Sequence, residues 1–322
     1  MRKFSAKIGV AALSLVITFG SLAGTAEAQG GGPPPGPPPG GGGEVTVDCG
    51  DGDSIQEALD EAKEGDTIQV FGTCNERVKI TTDSINLDGG GAFDASMNFM
   101  DGATIDGTST STTLRSVVTI EADKVVVHGF IIQNAESNGF HVRRAGSAWI
   151  YGNLIRDNPS SGINANQGSF VRIGASNNNH SEIGTPGAEG NIIEYNRRGI
   201  NASANSEVRV SHNIIRNNTR DGIVLSEGVT ARIDANQITG NSHDGIDIRT
   251  LAIVRTGNDG NHGFSDVEPV HVNNLVEGNG RKGLLCTDPA MWLGEEPDFG
   301  VGNGCESVCG SSDNIDLTDC FL

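Results

Sequence analysis

One unit is written twice between His212 and Ile248, and it limits the fold more than any other feature. Asn213, Ile215, Asn218, Gly222 and Ile223 return as Asn236, Ile238, Asn241, Gly245 and Ile246, a shift of 23 residues. Self-similarity at a short fixed period is the mark of a solenoid, in which each repeat buries its apolar face only against its neighbours. The unit has no room for a helix and contains apolar pairs separated by turn residues, so the repeat predicts two or three short strands per coil. The pattern runs in both directions. Its Asn row reads Asn134, Asn158, Asn196, Asn218, Asn241 and Asn279. Its Gly row reads Gly139, Gly162, Gly199, Gly222, Gly245 and Gly283, each followed by Phe, Ile or Leu. A third row holds Ile131, Ile155, Ile193, Ile215, Ile238 and Val276. Six registered copies predict an all-β, single-chain parallel β-helix with internal aliphatic stacks and a ladder of Asn side chains. The Gly row is expected to serve turns that need positive φ.

Two steps are longer. Asn153 to Asn191 and Asn236 to Asn274 each span 38 residues, against 23 for the short step. Each is read as one inserted loop, at Ser176–Glu189 and at Arg255–Pro269. Insertions on a solenoid tend to collect on its binding face. Loops flanking the Asp244 row would therefore favour chemistry there, and loops on the opposite side would not.

The chain has three regions: residues 1–28, 29–43 and 44–322. Residues 1–28 read as a secretory signal, with Arg2, Lys3 and Lys7 before an apolar run and Ala26-Glu27-Ala28 as the cleavage site. The expected location is outside the cytoplasm, extracellular or periplasmic. Residues 29–43, QGGGPPPGPPPGGGG, are a Gly/Pro-rich linker expected to be disordered. In the folded region, DSIQEALDEAKEGD predicts a short helix with Ser54 and Glu57 as a capping box. It caps the open apolar end of the first coil.

The formal charge of the 322-residue chain is −19, and it becomes −21 once Arg2, Lys3, Lys7 and Glu27 leave with the signal. Such a surface repels nucleic acid and anionic lipid. No later stretch is long and apolar enough to insert in a membrane. A monomer is expected. The even count of six Cys in an exported chain implies disulfides. Cys49–Cys74 is the preferred N-terminal pair. Cys286, Cys305, Cys309 and Cys320 allow three pairings.

The helix SIQEALDEAKEGDTIQV, the following GTCNERVKI and the NxIxxNxxxGI units together resemble the right-handed parallel β-helix proteins of the pectate-lyase-like superfamily. The similarity is strongest to the right-handed β-helix repeat branch, which includes NosD-type proteins and alginate C5-epimerases. It covers residues 44 to about 290. It implies a polysaccharide partner and, if the chain is an enzyme, a lyase, epimerase or glycosidase, with calcium as a candidate ion. The alternative is a non-catalytic structural or binding solenoid, such as a matrix protein or a NosD-type accessory protein.

Since inward positions are aliphatic, function belongs on the outer face. Rows beside the turn Gly place Arg197, Arg198, Arg220, His243, Arg281 and Lys282 in a basic strip of an acidic protein. Asp221, Asp244 and Asp247 lie within it, and His141, Arg143 and Asn164 lie on the same face. Substrate contacts are expected from Arg197, Arg198, Arg220, Asp221, His141, Arg143 and Asn164, which offer amides for hydroxyls and cations for carboxylates. Catalytic candidates are His243, Asp244, Asp247 and Arg249, in the segment NSHDGIDIR. Its DGxD part is similar to the polygalacturonase NTDGxD segment, and Asp247 falls at the first Asp of the epimerase DPHD segment. Neither family set is complete here. Stacked coils about 4.8 Å apart would bring Asp221 and Asp244 close enough to raise one pKa or attract a cation. Arg156, Glu194, Arg216, Thr239 and Glu277 alternate along another row and predict cross-coil ion pairs.

Overall fold

A computed structural model of the chain describes residues 42–94, 96–108, 113–175, 190–255, 274–287 and 291–293. All of them lie in one compact unit, Pro35–Leu322. The expected signal segment, the last three Cys and both inserted loops, apart from Arg255, lie outside the described residues.

Each coil contributes one strand to each of three parallel sheets. In one coil Glu207–Ser211 lies in sheet A, Ile214–Arg216 in sheet B and Ile223–Leu225 in sheet C. The chain then starts the next coil at Thr230–Asp234, again in sheet A. Sheet A has ten strands, and sheets B and C have eight each. The fold is a parallel β-helix, as the repeat predicts, and right-handed, as the resemblance implies. Its interior is mainly aliphatic: Ile155, Ile193, Ile215, Ile238 and Val276 stack in sheet B at 0 % exposure.

The first coil is closed by the predicted helix, Ile55–Glu61, with Ser54 as its N-cap. Ile55 and Leu59 are buried against the core, with Ala58 and Ala62 packed beside them. Ser54 Oγ accepts from the Glu57 backbone at 3.3 Å. A distant residue does more of the capping. Glu76 accepts from the Ile55 backbone at 2.8 Å, from the Gln56 backbone at 3.2 Å and from Ser54 Oγ at 3.0 Å. A carboxylate suits the orphan donors and the positive end of the helix. Cys49 and Cys74 form the expected disulfide. Cys286 is also disulfide-bonded.

Two Asn ladders run through the coil, one at each end of sheet B. In the first, the side-chain amide of Asn153 donates to Asn191, Asn191 to Asn213, Asn213 to Asn236 and Asn236 to Asn274. In the second the order is Asn158, Asn196, Asn218, Asn241 and Asn279. Each accepting oxygen also takes the backbone N–H of the preceding rung, as in Asn213 N–H to Asn236 at 3.0 Å. These amides sit almost fully inside, so every donor and acceptor must be used there.

Three details differ from the sequence reading. Gln133 pairs with Arg156 and Ile132 with Ile155, so Ile131 and Asn134 sit one position early. Ala135 takes the rung and donates its N–H to Asn158. Next, the Gly row from Gly139 to Gly245 does not have positive φ. A Cβ on Gly222 would lie 2.6 Å from the Gly245 carbonyl oxygen and 2.7 Å from Ile238 Cγ2. The row is Gly because neighbouring coils approach too closely for a side chain. Positive φ falls instead on the residue before each rung: Asp157, Tyr195, Asn217 and Gly240. Last, Arg255 is not in a loop. It ends the strand Ile253–Arg255 of sheet A.

The alternating row in sheet B is in the expected register, Arg156 to Glu194 to Arg216 to Thr239 to Glu277. One rung forms a bond, from Arg216 Nε to Glu194 at 2.7 Å. Arg156 turns away and donates to Gln133 at 3.1 Å. Partly exposed pairs of this kind contribute roughly 0–1 kcal/mol each.

Candidate functional site

The outer face of sheet C carries the rows foreseen from the repeat. His141, Asn164, Asn201, Val224, Asp247 and Leu285 occupy one row of successive coils. The strand Ile246–Ile248 explains the placement of Asp247: its two Ile side chains enter the core and the Asp between them faces outward.

Asp221, Asp244 and Asp247 come together, each offering a carboxylate oxygen within 4.8 Å of the others. They are 2 %, 3 % and 0 % exposed, which no outward-facing row predicts. Long basic side chains account for the contacts. Arg249 binds Asp247 Oδ2 through Nε at 2.8 Å and through Nη2. Arg198 Nε stands 3.6 Å from Asp221, and His243 Nδ1 stands 3.8 Å from it. The Lys282 backbone N–H donates to Asp244 at 3.0 Å. Asp247 Oδ1 is buried with no hydrogen-bond partner.

These surroundings set the charges. Burial pushes the Asp244 carboxyl above its ordinary range, with the charges of Asp247 and Asp221 adding to the effect and the Lys282 bond opposing it. The hydrogen bond from Arg249 to Asp247 raises the Arg249 pKa. Burial and the neighbouring Arg197 lower that of Arg198. The arrangement therefore offers a proton-holding carboxyl in Asp244 beside Asp247, a carboxylate tied to an arginine. Three oxygen donors, one of them unpartnered, also suit a hard cation in kind. The positive charges of Arg198 and Arg249 work against one.

A raised folded pKa favours the protonated carboxyl in the folded state. The stability linked to Asp244 is thus full below its unfolded pKa and is lost as pH rises through the folded value. Asp244→Asn keeps an acceptor for Lys282 and removes the titration. The variant should be more stable than the parent at pH 7, and the gap should close as pH falls below about 4. Denaturation midpoints of both proteins across pH 3–8 measure this, and parallel curves would rule it out.

The other predicted contacts do not join this cluster. His141 is half-buried, its Nε2 lying 3.3 Å from Asn166 Oδ1, and burial lowers its pKa. Arg143 binds Glu121 at 2.7 Å, as do Lys79 at 2.9 Å and Arg144 at 2.7 Å. Asn201 donates to Asn164 at 2.8 Å. His141 and Asp247 are four coils apart in register, about 19 Å at the usual strand spacing. Glu121 and Lys79 escaped the sequence reading because they lie before the regular repeats.

A further missed residue is Tyr195. It sits with Arg197, Asp157, Pro159 and Thr219 around a hollow of about 330 Å³ at the corner between sheets B and C. The residue is 53 % exposed, and its backbone has φ 55°, uncommon for a bulky side chain. Arg197 is exposed beside it, whereas Arg220 is half-buried. The signal was available: Tyr195 is the one aromatic residue at the position before a rung.

Both insertions leave sheet A and return in sheet B, after Phe170–Gly174 and after Ile253–Arg255. Their attachment points border the corner opposite sheet C. They do not border the Asp244 row, as a cleft there requires. Among the described residues no helix is long and apolar enough to cross a membrane.

A family model described as the right handed beta helix region matches residues 115–255 and 188–320. No curated protein matches significantly. Similar solved structures include an alginate lyase from Paenibacillus sp. str. FPU-7, 15% identical with a TM-score of 0.39, covering 82% of this chain and 97% of that one. The A-module of a mannuronan C-5 epimerase from Azotobacter vinelandii is 14% identical with a TM-score of 0.37, covering 84% and 90%. A pectin methylesterase from Aspergillus niger is 12% identical with a TM-score of 0.35, covering 86% and 93%. Likeness at this level does not extend to activity.

Proposed function

The chain belongs to the right-handed β-helix family, and from that premise we propose that it is an exported protein that binds an acidic polysaccharide along sheet C and its corner with sheet B. The observation that carries this reading is the hollow at Tyr195 and Arg197. An exposed phenol ring gives a sugar ring an apolar platform with a polar rim. The guanidinium beside it suits a uronate carboxylate. Arg198 and the Asn164–Asn201 amides continue the polar track.

Binding to polygalacturonate, alginate and a neutral glucan, with and without calcium, tests the reading. The unaltered protein is expected to bind the uronate polymers. Tyr195→Ala should weaken that binding by roughly fivefold, one aromatic contact, and Arg197→Gln by roughly tenfold, one charge-assisted contact. Uronate binding that ignores both variants, or a preference for the neutral glucan, would refute it.

A second reading adds chemistry, and the raised pKa of Asp244 favours it. A carboxyl whose pKa is raised by burial can give its proton to the leaving glycosidic oxygen as water adds to the anomeric carbon and releases its own proton to solvent. Asp247, held by Arg249, lies beside Asp244. Release of reducing ends without unsaturated product from a uronate polymer, abolished in Asp244→Ala, supports this reading. No product from any polymer leaves a binding protein.

A further inference from the structure

The N-terminal end of the coil is built differently from the repeats that follow. An end coil has a neighbour on one side only, so a solenoid opens most easily at its ends. Here the end is closed by contacts crowded into one place. The Cys49–Cys74 disulfide ties the residue after the first strand of sheet A to the first strand of sheet B, 25 residues further on. Two residues beyond Cys74, Glu76 holds the start of the helix Ile55–Glu61. Gln56 accepts from the Lys79 N–H at 2.7 Å and donates to the Lys79 carbonyl at 3.3 Å. The helix lies against Glu44–Asp48, Thr67–Phe71 and Val78–Ile80. Its Ile55 and Leu59 join the same core as Val47, Ile68 and Val78.

The disulfide can be reached from outside. Both Cys line a hollow of about 500 Å³, together with Asp53, Glu57 and Glu76. Cys49 is half-buried, whereas Cys74 is 2 % exposed. A thiolate entering the hollow therefore meets Cys49 Sγ first. It also meets negative charge, because Asp53 and Glu57 are exposed there. Arg77 lines the hollow too, but its guanidinium is 6 % exposed and turned to Glu136 and to the Gly107 and Leu114 carbonyls. Such a field repels an anionic thiol and draws a cationic one.

We infer that the Cys49–Cys74 bond is a latch that a small thiol opens from this hollow, releasing the helical cap while later coils stay folded. The thiolate attacks Cys49 Sγ, the bond to Cys74 breaks, and Cys74 leaves as a thiolate that takes a proton from water. A second thiolate displaces the first from Cys49, which then takes a proton as well. The protein gains two electrons and two protons, and the reductant leaves as its own disulfide. Cutting a bond that spans 25 residues raises the frequency of cap opening by roughly 300-fold. The latch is independent of the sites on sheet C.

The test treats the folded full chain with cysteamine or mercaptoacetate at equal thiolate concentration. Mass mapping locates the first adduct, and hydrogen exchange follows the backbone. The first adduct is expected on Cys49. Cysteamine should react roughly tenfold faster at low salt, with the gap closing at high salt. Exchange in residues 44–80 should rise by roughly 100-fold or more, while residues 192–225 keep their protection. Cys286 is disulfide-bonded too, so the double variant Cys49→Ser/Cys74→Ser, without reductant, isolates the cap and should show the same pattern. If that variant does not fold, Glu57→Gln keeps the bond and removes one charge at the hollow. Mercaptoacetate should then reduce the bond roughly twofold faster than in the unaltered protein. A first adduct on Cys74, or equal rates for the two thiols, overturns attack from the hollow. Unchanged exchange in residues 44–80 after the bond is cut, or loss of protection throughout the double variant, overturns the latch.

Discussion

Asn218→Ala is expected to destabilise the chain by about 4 kcal/mol, more than truncation of an amide on the outer surface. Asn218 Oδ1 accepts from the Asn196 backbone N–H at 3.0 Å and from the Asn196 amide at 3.3 Å. Its own amide donates to the Ile193 carbonyl at 3.2 Å and to Asn241 Oδ1 at 2.9 Å. Alanine leaves the Asn196 donors and the Ile193 carbonyl without those partners at 0 % exposure, where water cannot replace them. Each stranded group costs about 1–3 kcal/mol. Asn164→Ala is the control. Asn164 also joins a cross-coil amide bond, but it is only half-buried, so its loss should cost about 1 kcal/mol or less. Urea denaturation of the full chain gives both numbers. Equal losses would mean that the ladder's depth does not matter.

Gly222→Ala should cost about 3 kcal/mol, and Gly168→Ala only about 1 kcal/mol. The contrast separates two uses of glycine. Gly168 has φ +72° and nothing within 4 Å of an added Cβ, so alanine there meets only backbone strain. At Gly222 the backbone strain is absent. The added methyl would meet the Gly245 carbonyl oxygen at 2.6 Å, Ile238 Cγ2 at 2.7 Å and the Asn241 amide at 3.0 Å. The carbonyl cannot rotate aside without opening the spacing between two coils, and the Asn241 contact strains the same ladder. Thermal midpoints of the two variants measure the difference. A larger loss at Gly168 would restore the turn explanation that the repeat alone suggests.

The repeat also indicates why some site residues were legible and others were not. The offset of 23 residues placed Asp221 above Asp244, and the register of the Gly-Ile pair placed Asp247 one strand position further on. Their burial was not legible, because it depends on where Arg198, His243 and Arg249 rest their long side chains. A column on the outer face of sheet A, with Arg172, Arg209, Arg232 and Arg255 in register, shows a different limit. Arg209, Arg232 and Arg255 follow the short period, but Arg172 is separated from Arg209 by a coil with an insertion. The column lies in VRI, VRV, ARI and IVR segments whose apolar neighbours read as plain core strands. Aligning each Arg between its two inward residues would have exposed it. The one-residue slip at Ile131 and Asn134 arose because Ala135 occupies a rung usually held by Asn, so the row was anchored on the nearest Asn instead.

The sequence by itself determined the coil: its period, its parallel β-helix class, its aliphatic stacks and its ladder. Those follow from local spacing, since each repeat must present the same face to its neighbours. The tertiary structure decided what the spacing could not carry. It placed the attachment points of the insertions at the corner between sheets A and B, gave the Gly row a packing role, sank three aspartates beneath basic side chains and set four arginines on a separate face. Each outcome depends on which residue of the next coil lies about 4.8 Å away, and on how deep it leaves a charge.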